Sequence, residues 1–244
     1  MIWLRSLLFF IWLVSLTIVY ALFCLLVFLF IGEANRYRLI QFWAYLIIHG
    51  LRIICGVDYE IKGIQHAHEV INQPIIILSK HQSAWETIAF LTVFPKPLCY
   101  VFKRELLWIP FFGWVMALLK MIHIDRSAKE TAALSVTNQG KQRLREGKWI
   151  ILFPEGTRTP VGSHKPYRKG GARLATLTNA IVLPVAHNAG NLWPRNSFLK
   201  RPGLITVSIG PSIDSQDKTG DQLNHEVESW IEGEMKKIDP AAYS

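Results

Sequence analysis

An α/β fold behind an apolar amino-terminal extension is what this sequence predicts, and three observations predict it. Short runs of apolar and β-branched residues recur at 57–62, 75–78, 98–102, 121–126, 149–153, 180–186 and 204–210, and most of the intervals have room for a helix. Several runs stop at a cluster of polar or charged residues, as strands do when their carboxyl ends carry a site. Ahead of them all, residues 7–31 are 25 consecutive uncharged, mostly apolar positions. That stretch is too long for a strand.

The 244 residues suit one α/β domain of ordinary size plus an accessory segment. The chain is basic and apolar at once, with 27 Lys+Arg against 18 Asp+Glu, a formal charge of +9, 50% hydrophobic residues and nine tryptophans. Such a balance fits an anionic lipid surface or a phosphate-bearing substrate, each basic residue near the surface contributing roughly 1 kcal/mol. Nucleic acid is not expected as a partner, because no recognition motif occurs and much of the aromatic content sits in apolar runs rather than among basic residues. Cys24, Cys55 and Cys99 are odd in number and lie in apolar settings. They read as buried thiols, not as a disulfide framework.

As a helix, residues 7–31 would be roughly 37 Å long against a hydrocarbon core of about 30 Å. The run exceeds the h-region of a secretory signal and no small-residue cleavage site follows it, so retention is expected. Residues 39–51 form a second apolar stretch of 13, too short to span alone and suited to an interface or to packing back on the first helix. The pair could form a hairpin dipping into one leaflet. Arg5 flanks one side and Arg36, Arg38 and Arg52 the other, which favours a cytoplasmic domain by the positive-inside rule. Residues 1–52 are therefore the expected membrane anchor and 53–244 the expected soluble domain.

Within that domain, 75–78 follows Pro74 and reads as a buried strand, with His81 just beyond its carboxyl end. His81 and Glu86 would point about 140° apart on a single helix. They meet only if His81 lies in the turn and Glu86 in the first helical turn, with Ser83 as N-cap. An imidazole titrates near neutrality, and a carboxylate on its other nitrogen would orient it as a general base. The same residues, Ser83 to Glu86, also fit a capping box in which Glu86 only satisfies a backbone N–H.

The remaining elements follow in order. Residues 63–73 read as a polar connection holding His66 and His68, a weak metal pair without a third ligand. A helix from Glu86 runs to Val93 and ends before Pro95 and Pro97. The strand at 98–102 delivers Lys103, Arg104 and Glu105 beside the apolar segment 108–119, which suits an amphiphile with a polar head or, more plainly, a basic rim beside a core helix. Residues 128–146 form an amphipathic helix stopped by Gly147. The strand at 149–153 runs into Pro154, Glu155, Gly156, Thr157 and Arg158, where a glycine lets backbone approach a ligand and an arginine fork matches a phosphate. Glu155 and Arg158 could instead pair at the surface. Residues 167–172 open another helix whose N–H groups and positive charge could support phosphate binding. Pro184 places an edge, a bulge or a strand end within 180–186, and 214–238 reads as one polar surface helix.

Four blocks in this order resemble the glycerolipid acyltransferase family, the 1-acylglycerol-3-phosphate acyltransferases, over roughly residues 50–215. They are His81 to Glu86, then Lys103, Arg104 and Glu105 through Ile109, Pro110, Phe111 and Gly113 with Ile124 to Arg126 following, then Phe153 to Arg158, and finally Val182 to Val185. The family's first block ends in aspartate, so Glu86 makes an H-x4-E variant with one more methylene. The resemblance implies a mixed central sheet flanked by helices and transfer of an acyl group from acyl-CoA or acyl-carrier protein to the sn-2 hydroxyl of lysophosphatidic acid. It implies no cofactor. His81 would be the base and Glu86 its orienter, Glu155, Gly156, Thr157 and Arg158 would bind the glycerol phosphate, and Lys103 and Arg104 would supply a second anion contact or stabilise the oxyanion. Glycerol 3-phosphate or another lysolipid remains an alternative acceptor, and a non-catalytic lipid-binding protein the alternative of another class.

Overall fold

In the computed structural model, residues 1–109, 112–125, 127 and 129–243 are described. Pro110, Phe111 and Arg126 of the second block, and the expected helix start at Ala128, lie outside them. The strands are β1 (Val57–Lys62), β2 (Ile75–Ser79), β3 (Leu98–Lys103), β4 (Ile122–Ile124), β5 (Trp149–Leu152), β6 (Ile181–His187) and β7 (Gly203–Ile209). They form one sheet in the order β1-β7-β6-β2-β5-β3-β4. Strands β2 to β6 run in one direction; β7 pairs antiparallel with β6 and parallel with β1, so the sheet is mixed.

The centre of the sheet is β2, between β5 and β6, and all five of its residues are buried. A strand covered on both faces needs the continuous apolar run that the sequence shows. Ile76 and Leu78 face one core layer with Ile150, Leu174, Val227 and Ile231, whereas Ile75 and Ile77 face the other with Leu51, Trp85, Phe90 and Ile151. Full burial of each such side chain contributes about 1.5–3 kcal/mol. Helix α4 (Trp85–Val93), which follows β2, packs in the second layer, and α7 (Gly170–Thr178), which follows β5, packs in the first. Adjacent strands whose helices depart to opposite faces leave a crevice at their carboxyl ends.

Two long helices precede the sheet, α1 (Ile2–Val27) and α2 (Glu33–Cys55). The second begins earlier than its apolar run and passes the expected boundary at residue 52. They form a hairpin, tied by Tyr20 OH donating to Leu39 O at 2.9 Å and Trp43 Nε1 to Thr17 Oγ1 at 3.3 Å. Both ends of α1 dock on the domain: Ser6 Oγ accepts from Lys200 N at 2.9 Å and Phe9 packs edge-on to Trp193, while Cys24 and Phe28 join the core with Cys99 and Leu119. Much of the rest of α1 is apolar and exposed, as are Trp108 and Trp114.

Other helices are α3 (Ile64–Glu69), α5 (Phe112–Leu118), α6 (Lys129–Arg145), α8 (Ala189–Leu192) and α9 (Gly220–Ile238). The expected polar connection at 63–73 thus contains a helix, and His66 on it places Nδ1 2.9 Å from Ile209 O. The polar tail is also more than a surface helix. It starts at a capping box of Thr219 and Gln222 and buries Leu223, Val227, Ile231 and Met235 along one face. Pro184 lies in an interior strand, so the edge option is excluded and the bulge holds. Val185 pairs with Ile209, but Val182 pairs with Ile213, one residue out of step. Gly210 N donates to Pro184 O at 2.9 Å, so the missing proline N–H faces the interrupted ladder. The three cysteines are buried free thiols.

Candidate active site at the carboxyl ends of the central strands

His81 leaves the end of β2, and its Nδ1 lies 2.8 Å from Glu86 Oε1, at the second residue of α4. The same carboxylate oxygen accepts Gln82 N–H at 3.0 Å and Ser83 N–H at 2.9 Å. Orienting the histidine and satisfying the start of the helix are therefore done by one atom, and the two readings of this segment are not alternatives. Ser83 is not the N-cap, which falls at Ala84; its Oγ instead accepts Trp85 N–H at 3.1 Å.

Glu86 is wholly buried. Burial pushes its carboxyl up, and the nearby His187 ring together with the His81 and Ser83 contacts more than offsets this, holding it below its ordinary value. His187 is itself depressed by burial. Its Nε2 lies 2.8 Å from Lys80 O and its Nδ1 3.3 Å from Ala189 N, the pattern of a neutral ring. With His187 neutral, the donors on Oε1 carry the direction at Glu86.

The imidazole is held from its other sides by residues distant in the chain. Phe153, just past β5, stacks on it at 3.9 Å between centroids and 16° between planes. Thr159 donates to His81 O from its N–H at 2.8 Å and its hydroxyl at 3.2 Å. Side-chain exposure of His81 is 14%, toward a cavity of about 490 Å³.

Two kinds of residue line that cavity. Val101, Phe102, Leu106, Ile124 and Leu152 line it with apolar surface, and Lys103, Arg158, Arg168 and Arg195 with cations. Gly156 and Thr157 are on the wall too. Gly156 has φ of +70°, and a Cβ there would stand 3.0 Å from Arg168 Nε, so glycine is required by backbone and by the guanidinium against it. Arg195 Nη1 donates to Arg158 O at 2.6 Å, joining the two arginine loops.

Two expected binders are elsewhere. Arg104 turns away to Asp125, 3.0 Å distant, and is not among the cavity residues. Glu155 does not pair with Arg158 at the surface; it is wholly buried behind the wall, 3.4 Å from Lys80 Nζ and accepting His81 N–H at 3.4 Å. Burial raises its pKa to about 7 against the pull of Lys80. Of the helix at 167–172, Arg168 reaches the cavity, whereas Lys169 pairs with Asp221 at 2.7 Å. Arg195, Phe153 as a stacking partner and buried Lys80 escaped the sequence reading. The tryptophan, proline, arginine and asparagine at 193–196 form a turn signal that could have flagged Arg195.

Residues 58–188, more than half of the chain, match the family model described as Acyltransferase. A 1-acyl-sn-glycerol-3-phosphate acyltransferase of Pseudomonas aeruginosa is 44% identical over 209 residues, covering 84% of this chain and 80% of its own. One from Cocos nucifera is 30% identical over 176 residues, 72% of this chain, of which the match spans 56% of the plant protein. In fold, the chain is similar to the crystal structure of the 1-acyl-sn-glycerophosphate acyltransferase of Thermotoga maritima, with a TM-score of 0.80, 22% identity and 98% of each chain covered.

Proposed function

This chain belongs to the acyltransferase family, and from that premise we propose that it transfers a fatty acyl group to the sn-2 hydroxyl of lysophosphatidic acid, yielding phosphatidic acid. The observation that carries the reading is a His81–Glu86 pair at 2.8 Å opening on a cavity lined by both cationic and apolar residues. A lysophospholipid has a phosphate and an acyl chain, and the two kinds of lining residue suit them.

Glu86 takes Nδ1, which leaves Nε2 as the base. Nε2 removes the proton of the acceptor hydroxyl as that oxygen attacks the thioester carbonyl of acyl-CoA or acyl-carrier protein. The tetrahedral intermediate collapses, the carbon–sulfur bond breaks, and the departing thiolate takes the proton back from His81. No acyl-enzyme forms. Arg158, with Arg168 and Arg195, binds the phosphate, Lys103 of the same cavity stabilises the oxyanion, and Gly156 and Thr157 supply close backbone approach.

Residues 1–52 anchor the domain at 53–244. Because α1 docks at both ends, its exposed apolar side is best satisfied by lying in one leaflet of the inner membrane, with the active site on the cytoplasmic side. The basic residues then favour anionic lipid. The test is acyl transfer by detergent-purified protein from long-chain acyl-CoA, and separately from acyl-carrier protein, to lysophosphatidic acid, with His81→Ala alongside. Product that the variant fails to make is expected. Equal activity in variant and parent would sink the mechanism, and the better donor identifies the carrier.

A further inference from the structure

Lys80, one residue before the base, is fully buried, and a lysine survives there only when paired. Its ammonium is 2.7 Å from Glu232 Oε1 on α9 and 3.4 Å from Glu155 Oε1, and stands 5.5 Å over the Tyr243 ring. Tyr167 OH donates to the same Glu232 oxygen at 2.8 Å. The backbone of Lys80 is held as closely: its N–H donates to Val185 O at 2.9 Å, and its oxygen accepts from His187 at 2.8 Å and from Ser79 Oγ at 3.0 Å. Glu155 Oε1 also accepts His81 N–H, so one carboxylate oxygen joins the ammonium to the backbone of the base. Neither Lys80 nor Glu232 is on the cavity wall.

We propose that Lys80 is a positioning residue for His81, and that Glu232 of the carboxy-terminal helix is the hydrogen-bond acceptor that holds it to that task. The inference rests on the acyl-transfer reading of the dyad. Successive Cα atoms are about 3.8 Å apart, so a shift of Lys80 is passed directly to His81. A misplacement of about 1 Å in a catalytic group can cost about 10²-fold in rate. Helix α9 thereby reaches the chemistry without touching substrate, through an ion pair whose two ends are 152 residues apart.

The test compares Glu232→Ala and Glu232→Gln in the full-length, detergent-purified protein. Glu232→Ala is expected to lower kcat by roughly tenfold or more, with KM for lysophosphatidic acid and for the acyl donor within about twofold of the parent. Glu232→Gln keeps an oxygen for Lys80 and Tyr167 and should restore most of kcat. A second readout needs no turnover: modification of His81 by diethyl pyrocarbonate, followed on its peptide by mass spectrometry, should quicken in the alanine variant and return to the parental rate with glutamine. Parental kcat and parental His81 reactivity in Glu232→Ala would overturn the proposal, even if its melting temperature falls, because α9 would then be an anchor only. If the reactivity pattern appears while the parent itself transfers no acyl group, the positioning role stands and the acyl-transfer reading falls.

Discussion

At the scale of single residues, Glu86 and Glu155 are two buried carboxylates with opposite electrostatics. Glu86 Oε1 takes three donors, so Glu86→Ala leaves the base unoriented and two backbone N–H groups unmet at about 1–3 kcal/mol each. Glu86→Gln keeps an acceptor but not the charge. We expect the glutamine variant to melt near the parent yet lose about 10²-fold or more in kcat, and Glu86→Asp to retain measurable rate. Assays normalised to folded protein check this; a glutamine variant with parental kcat would reduce Glu86 to a cap. Glu155 titrates the other way. Its pKa is raised from 4.5 to about 7, so the native state binds that proton more tightly than the unfolded chain does. Its contribution to stability is full below the unfolded pKa and is lost as pH rises through 7, by about 3 kcal/mol at most. Denaturation from pH 5 to 8 should show this loss in the parent and a smaller one in Glu155→Gln. Little of this was legible beforehand. His81 and Glu86 could be paired from their spacing, but lysine is almost never fully buried, and nothing local to Lys80 announces a partner at Glu232.

Elements show a different balance of what sequence carries. The strand runs could be read because β2, β5 and β6 are covered on both faces, and burial demands apolar residues whatever the neighbours are. Direction is not encoded in such a run, which is why the reversal of β7 against β6 could not be read from it. Helix α9 looked like a surface helix because its apolar positions are sparse, yet Leu223, Val227, Ile231 and Met235 recur at helical spacing and close one core layer. The loop after β5 is legible in kind, through Gly156 and Arg158, but not in detail, since Arg168 lies at the far end of the same connection and Arg195 comes from a later one. Gly156→Ala tests that loop. A left-handed backbone and a guanidinium 3.0 Å from the new methyl both resist it. We expect KM for lysophosphatidic acid to rise roughly tenfold or more, while the donor KM changes little and the melting temperature falls by a few degrees. Steady-state kinetics with each substrate varied in turn separates these outcomes.

The whole molecule is shaped by where its apolar surface is left. Leu4, Ile11 and Ile18 lie along one stripe of α1 with exposures of 57%, 53% and 57%, and we expect lipid to cover them. Replacing all three by serine should weaken partition onto anionic vesicles about 10²-fold, since each contributes about 1 kcal/mol or more when buried. Cosedimentation measures the loss, and an unchanged melting temperature would separate it from unfolding; undiminished binding would mean that this stripe does not meet lipid. The catalytic turn, finally, differs from the cavity wall in how it is written into the chain. His81, Gln82, Ser83 and Glu86 sit within a single turn, and their mutual hydrogen bonds need no distant partner. The cations of the cavity come from position 103 at the end of β3, from 158 and 168 in the β5–α7 connection, and from 195 beyond α8. The dyad's own hydrogen bonds are thus written into one short stretch, whereas the cationic lining is dispersed along the chain, so a substitution at one of those cations should alter the cavity while leaving the His81–Glu86 contact in place.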